Sequence, residues 1–160
     1  MKPGVLGPTT KDLYDQDFFE WTVRNAELLR GGRLDEADLE HIAEEIEDMG
    51  KREQHQLESR LAVLITHLLK WQIQPERRGS SSWAATIEVQ RLRLARLLKK
   101  MPSLQRALDE AVSEAYPEAR VKAAAETEHP KSSFSETCPF TPTQILNPDF
   151  YPSSGAPTAT

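Results

Sequence analysis

The sequence predicts an all-α protein, and three observations predict it. Apolar side chains recur at three- and four-residue steps through most of residues 14–129, no segment alternates apolar and polar residues as a strand would, and no glycine-rich phosphate loop or internal repeat interrupts the pattern. Within that class we expect an irregular helical bundle with one very long second helix and a proline-rich C-terminal strap. At 160 residues the chain is long enough to bury one core, so a single domain is expected.

The elements follow in order. Residues 1–13 hold Pro3, Gly4, Gly7 and Pro8 with no apolar period, which predicts a flexible N-terminal arm. Asp15 is expected to cap a first helix, in which Phe18, Trp21, Asn25, Leu28 and Leu29 recur until Gly31 and Gly32 stop it. Asp35 is expected to cap the second helix, with Asp38 at its third position. Leu39, Ile42, Ile46 and Met49 form a first stripe on that helix. Leu57, Leu61, Leu64, Leu68 and Trp71 form a second, and Pro75 forbids continuation. Between the stripes, residues 50–56 carry no large apolar side chain. With no proline and no clear new cap there, a kink or an unbroken helix is expected rather than a loop.

Gly79 and the serines after it predict a connection, and Trp83 opens a third helix through Ile87, Gln90, Leu94, Leu97, Leu98 and Met101. Pro102 and Ser103 are expected to cap a fourth helix carrying Leu104, Leu108, Ala111, Val112 and Ala115, with a kink or restart at Pro117. The bundle thus covers 14–129. Residues 130–152 space Phe134, Phe140, Phe150 and Tyr151 among prolines and predict a strap packed on the bundle. Thr141-Pro142-Thr143-Gln144 fits a capping box with proline at the first helical position, so one turn is expected to run to Leu146. Residues 153–160 are expected to be disordered.

Composition narrows the class of function. A lone cysteine, Cys138, cannot form an internal disulfide, and the opening residues lack the apolar region of a secretion signal, so a cytoplasmic location is expected. Leu61 to Trp71 is too short to span a bilayer, and no membrane segment is expected. The net charge of −5 argues against a general nucleic-acid binder. It conceals an uneven distribution, however: Asp12–Glu58 is strongly acidic and Lys70–Arg106 strongly basic. Two halves facing each other, or solvating opposite faces, would account for this.

Three groups of residues could carry chemistry. Glu53 and Arg60 fall inside the apolar stripe of the long helix with His67 at its margin, so these charges need partners: a polar layer fixing register or dimer pairing, or a cleft. Asp38, His41 and Glu45 occupy neighbouring turns and resemble one helix's share of a metal site. The second matching pair that a di-metal bundle requires is missing, so neither a metal nor another cofactor is expected. Arg77, Arg78, Arg91, Arg93 and Arg96, within the basic stretch Arg77–Lys100, could face phosphates, although they match no nucleic-acid motif. Cys138 has no base near it in the sequence and no catalytic residue is assigned.

These same segments carry a family likeness. YDQDFFEWTVRNAELLRGGRLDEADLEHIAEEIEDMG, LESRLAVLITHLLKWQIQPERR followed by SSW, AYPEARVKAAAET and ETCPF together resemble the bacterial family called domain of unknown function 29, over about Tyr14 to Pro152. The resemblance implies an all-helical bacterial protein with no established activity, and no residue role comes with it. The family's pattern runs through Asp17, Trp21, Glu44, Glu45, Gly50, Arg60, His67, Trp71 and Trp83. The expected function is therefore a non-enzymatic helical interaction or scaffold protein, a homodimer or the binder of a protein partner. A nucleic-acid or phosphate-binding module is the alternative, and an enzyme with a cleft at Glu53, Arg60 and His67 is the third reading.

Overall fold

Six α-helices, and no strand, make up the described residues, 7–80 and 82–155 of a computed structural model. They are α1 (Thr10–Gln16), α2 (Phe18–Arg30), α3 (Leu39–Ile73), α4 (Trp83–Lys100), α5 (Leu108–Thr127) and α6 (Pro142–Leu146). The all-α class and the very long helix are as the periodicity predicts, and α3 continues unbroken through Gly50.

The chain divides into two compact units, Met1–Arg52 and Glu53–Thr160, where one bundle over 14–129 is expected. The border falls in the stretch of α3 that offers no large apolar side chain. A helix without an apolar stripe has nothing to bury, so one core cannot continue across it.

In the first unit the N-terminal boundary differs from expectation. A helix begins at Thr10, inside the stretch read as an arm, because Thr9 and Asp12 form a reciprocal capping box. Asp17, rather than Asp15, caps α2 by accepting from the Glu20 N–H at 3.0 Å. Gly32 then takes φ +69°, a conformation that glycine adopts without penalty, and the chain turns. Residues 1–6 of the expected arm lie outside the described residues.

The core of the second unit is built on the second stripe of α3. Leu57, Leu61, Leu64, Ile65 and Leu68 are completely buried against Ile87, Leu94, Leu97 and Leu98 of α4 and a ladder of alanines on α5. Ala111, Ala115, Ala119 and Ala123 recur every four residues, so α5 presents a row of small side chains that lets a neighbouring backbone come near. Thr66, on α3, accordingly lies 3.5 Å from the Ala119 carbonyl. Pro117 sits inside α5 without ending it, and Glu128 closes the helix in the left-handed conformation at φ 57°. The segment Pro102–Ala107, expected as the opening of that helix, is instead a 3-10 turn with no side-chain cap from Ser103.

After Pro130 the chain lies on this core through Phe134, Phe140 and Ile145, all buried. The capping box of Thr141 and Gln144 forms as expected and starts α6 at Pro142. Tyr151 stacks at a tilt on Trp71, 4.7 Å between ring centres. Of the tail expected to be disordered, residues 156–160 lie outside the described residues.

Candidate functional site

The first unit holds a closed hydrogen-bonded network. Asp38 is the residue immediately before α3, so its carboxylate reaches the helix's free N–H groups, and it is completely buried. Its Oδ2 accepts from Trp21 Nε1 at 3.1 Å and from His41 Nδ1 at 2.6 Å. Its backbone N–H donates to Asn25 Oδ1 at 2.8 Å, and Asn25 in turn donates to the Trp21 carbonyl at 2.9 Å. Tyr14 stacks on the His41 ring with 3.9 Å between centres and donates its hydroxyl to Glu45 Oε1 at 2.8 Å.

Burial pushes the Asp38 carboxyl upward, but the hydrogen bonds from His41 and Trp21 outweigh it and hold the group below its ordinary range. The hydrogen bond to Asp38 raises His41 in return. The bond to Glu45, with burial adding to it, pushes the Tyr14 hydroxyl up to about 12, so it stays protonated and donating. The three residues read as one helix's share of a metal site are thus spent on one another's neighbours: Asp38 on His41 and Trp21, Glu45 on Tyr14. Among the described residues no group of three or more His, Cys, Asp or Glu is arranged to hold a metal ion.

The second unit separates the polar trio. Glu53, Gln56 and Arg60 of α3 and Arg93, Arg96, Leu97 and Lys100 of α4 line a groove of about 400 Å³, together with Met101. His67 is not part of it. Its ring, half-buried, lies 2.8 Å by Nδ1 from the Val63 carbonyl one turn back, and burial lowers its pKa. Glu53 and Arg60 therefore open to a groove, whereas His67 is closed on its own helix.

The basic residues divide as well. Arg91 is only 6% exposed; its guanidinium donates to the carbonyls of Ile145 at 2.9 Å, Pro148 at 3.3 Å and Phe150 at 2.7 Å. It is an internal anchor for the strap, unavailable to phosphates. Arg78 donates to the Trp71 carbonyl at 2.7 Å and lies over that ring, and Arg77 lies over Trp83. Of those five arginines only Arg93 and Arg96 line the groove; Lys100, at the end of the same basic stretch, lines it with them, as does Arg60 of the polar trio. The position of Arg91 was readable: it stands four residues after Ile87 and three before Leu94, on the buried face.

Cys138 is half-buried beside Val112, Tyr116 and Phe140 in a cavity of about 310 Å³. Burial pushes its thiol up to about 11, so almost none is thiolate at neutral pH. Iodoacetamide at pH 7.5 is expected to label native Cys138 at least tenfold more slowly than the urea-unfolded chain; labelling at equal rates would contradict this placement.

Fold and network together define an all-helical protein of two compact units, among whose described residues no helix is long and apolar enough to cross a membrane. The family model "Domain of unknown function DUF29" matches residues 13–151, and the chain belongs to that family. No curated protein and no solved structure matches it.

Proposed function

We propose that this is a non-enzymatic helical interaction protein whose first unit receives a helix of a protein partner. One observation carries the reading. On α3, Leu39, Ile46 and Met49 are 49%, 63% and 61% exposed, although they and Ile42 follow the three- and four-residue steps of a coiled-coil seam. The leucines of the later stripe on the same helix, Leu57, Leu61, Leu64 and Leu68, are completely buried. A seam left open on one stretch is suited to a helix from another chain.

The charge of the region that carries the seam indicates which helix. Glu40, Glu44, Glu47 and Asp48 are exposed on the side of α3 away from the seam; Glu40 pairs with Lys11 and Asp48 with Lys51, while Glu44 and Glu47 are in no ion pair among the described residues. The region that carries the seam is acidic overall, so two copies repel at long range, whereas an amphipathic helix rich in lysine or arginine would be drawn in.

Fluorescence anisotropy with two labelled peptides tests this. Both carry leucine at the seam positions; one has lysine flanks and the other glutamate flanks. The lysine peptide is expected to bind at least tenfold more tightly, and Ile46→Asp with Met49→Asp is expected to abolish binding while leaving the helical circular dichroism unchanged. Equal affinity for both peptides, or no binding of either, would sink the proposal. A dimer by light scattering that the same double variant dissociates would reassign the seam to a second copy.

A further inference from the structure

We infer that the groove between α3 and α4 is a binding site for a small organic polyphosphate of the nucleoside di- or triphosphate class. It lies wholly within the second unit and owes nothing to the exposed seam of the first. Four cations, Arg60, Arg93, Arg96 and Lys100, line a groove that holds one carboxylate, Glu53. None of the four is in an ion pair among the described residues, although acidic residues outnumber basic ones in the chain, 25 to 20.

Gathering like charges this way is unfavourable. Arg93 and Arg96 stand three apart on α4, and Arg96 and Lys100 four apart, spacings at which equal charges repel. The C-terminal end of α4 offers Lys100 a favourable helix dipole, but that benefit is confined to the last turn and does not extend to Arg93 or to Arg60 on the other wall. An anion entering the groove relieves the repulsion, and guanidinium groups match phosphate oxygens in pairs.

Size and lining narrow the ligand. About 400 Å³ falls in the range of small-molecule sites, and a concave groove offers no protruding element to enter the groove of a duplex. A surplus of three positive charges calls for more than one phosphate. Met101, half-buried at the groove, supplies an apolar surface for a flat or hydrocarbon portion. Glu53, half-buried and an acceptor only, calls for a hydroxyl or amino donor on the ligand, which inorganic triphosphate lacks.

Isothermal titration calorimetry of the full chain with ATP, AMP, inorganic triphosphate and a twelve-nucleotide single-stranded RNA tests the assignment at low and at moderate salt. ATP is expected to bind at least tenfold more tightly than AMP, and to weaken as salt rises. Arg93→Ala with Arg96→Ala, both exposed in the native chain, is expected to weaken ATP binding at least tenfold without lowering the melting temperature. Glu53→Gln is expected to reduce the preference for ATP over inorganic triphosphate. The proposal is overturned if the arginine double variant binds ATP as well as the parent, if no phosphate compound binds, or if the RNA binds and ATP does not displace it. That last outcome would mark an extended nucleic-acid surface instead. Because peptide binding reads Ile46 and Met49 whereas ATP binding reads Arg93 and Arg96, failure of either leaves the other standing.

Discussion

Replacing Arg91 by alanine is expected to cost about 3–5 kcal/mol of stability in the second unit, because one buried guanidinium supplies the hydrogen bonds of three strap carbonyls. Ile145, whose carbonyl accepts from Nε, is itself completely buried, so removal of the donor leaves that oxygen without a partner. The guanidinium also lies over the Tyr151 ring, 5.4 Å from its centre, and Tyr151 lies against Trp71. Loss of Arg91 therefore loosens residues 145–151 together. Arg91→Lys is expected to recover little of the loss, since an ammonium is a single point that cannot address three carbonyls in a fixed fork. Urea unfolding followed by circular dichroism reads the stability, and limited proteolysis reads the strap, which is expected to be cut ahead of the helices in the alanine variant. A lysine variant as stable as the parent would show that charge alone, without the fork, holds the strap.

Arg91 also marks the limit of what the sequence discloses. Its phase on α4 places it on the buried face, yet its charge invites assignment to a surface patch, and only the strap's position decides between the two. Helical periodicity found α3, α4 and α6 because each carries either a long stripe or a reciprocal cap; the Thr141–Gln144 box is a local arrangement that needs nothing from the rest of the chain. The Thr9–Asp12 box is equally local, but α1 buries only Leu13, so no stripe draws attention to it. Glu53 and Arg60 were identified because charges inside an apolar stripe stand out. That Arg93, Arg96 and Lys100 lie opposite them, and that His67 does not join them, depends on which helix lies beside each turn of α3. Periodicity within one helix carries no information about its neighbours. The same holds for Tyr14, which reaches His41 and Glu45 across 27 and 31 residues.

Asp38→Ala is expected to cost about 2–4 kcal/mol, the sum of a lost N-terminal cap, worth about 1 kcal/mol, and a buried Trp21 N–H left without its acceptor, worth about 1–3 kcal/mol. The damage should stay in the first unit. Amide hydrogen exchange is expected to rise in α1, α2 and the first turns of α3, while Leu61–Leu69 keep their protection; a uniform rise over the whole chain would refute that separation. The network also sets a pH dependence. The raised pKa of His41 means that its contribution is fully present below about pH 6.5, the unfolded value, and is lost as pH climbs through the higher folded value. The lowered pKa of Asp38 means that its contribution is present above about pH 3.9 and is lost as pH falls through the folded value. The first unit is therefore expected to be most stable between those limits. Asp38→Asn keeps an acceptor for Trp21 and a cap for the helix but removes the charge that holds the proton on His41. Its melting temperature should change far less than the parent's between pH 6 and 8, and an unchanged dependence would show that another group governs the titration.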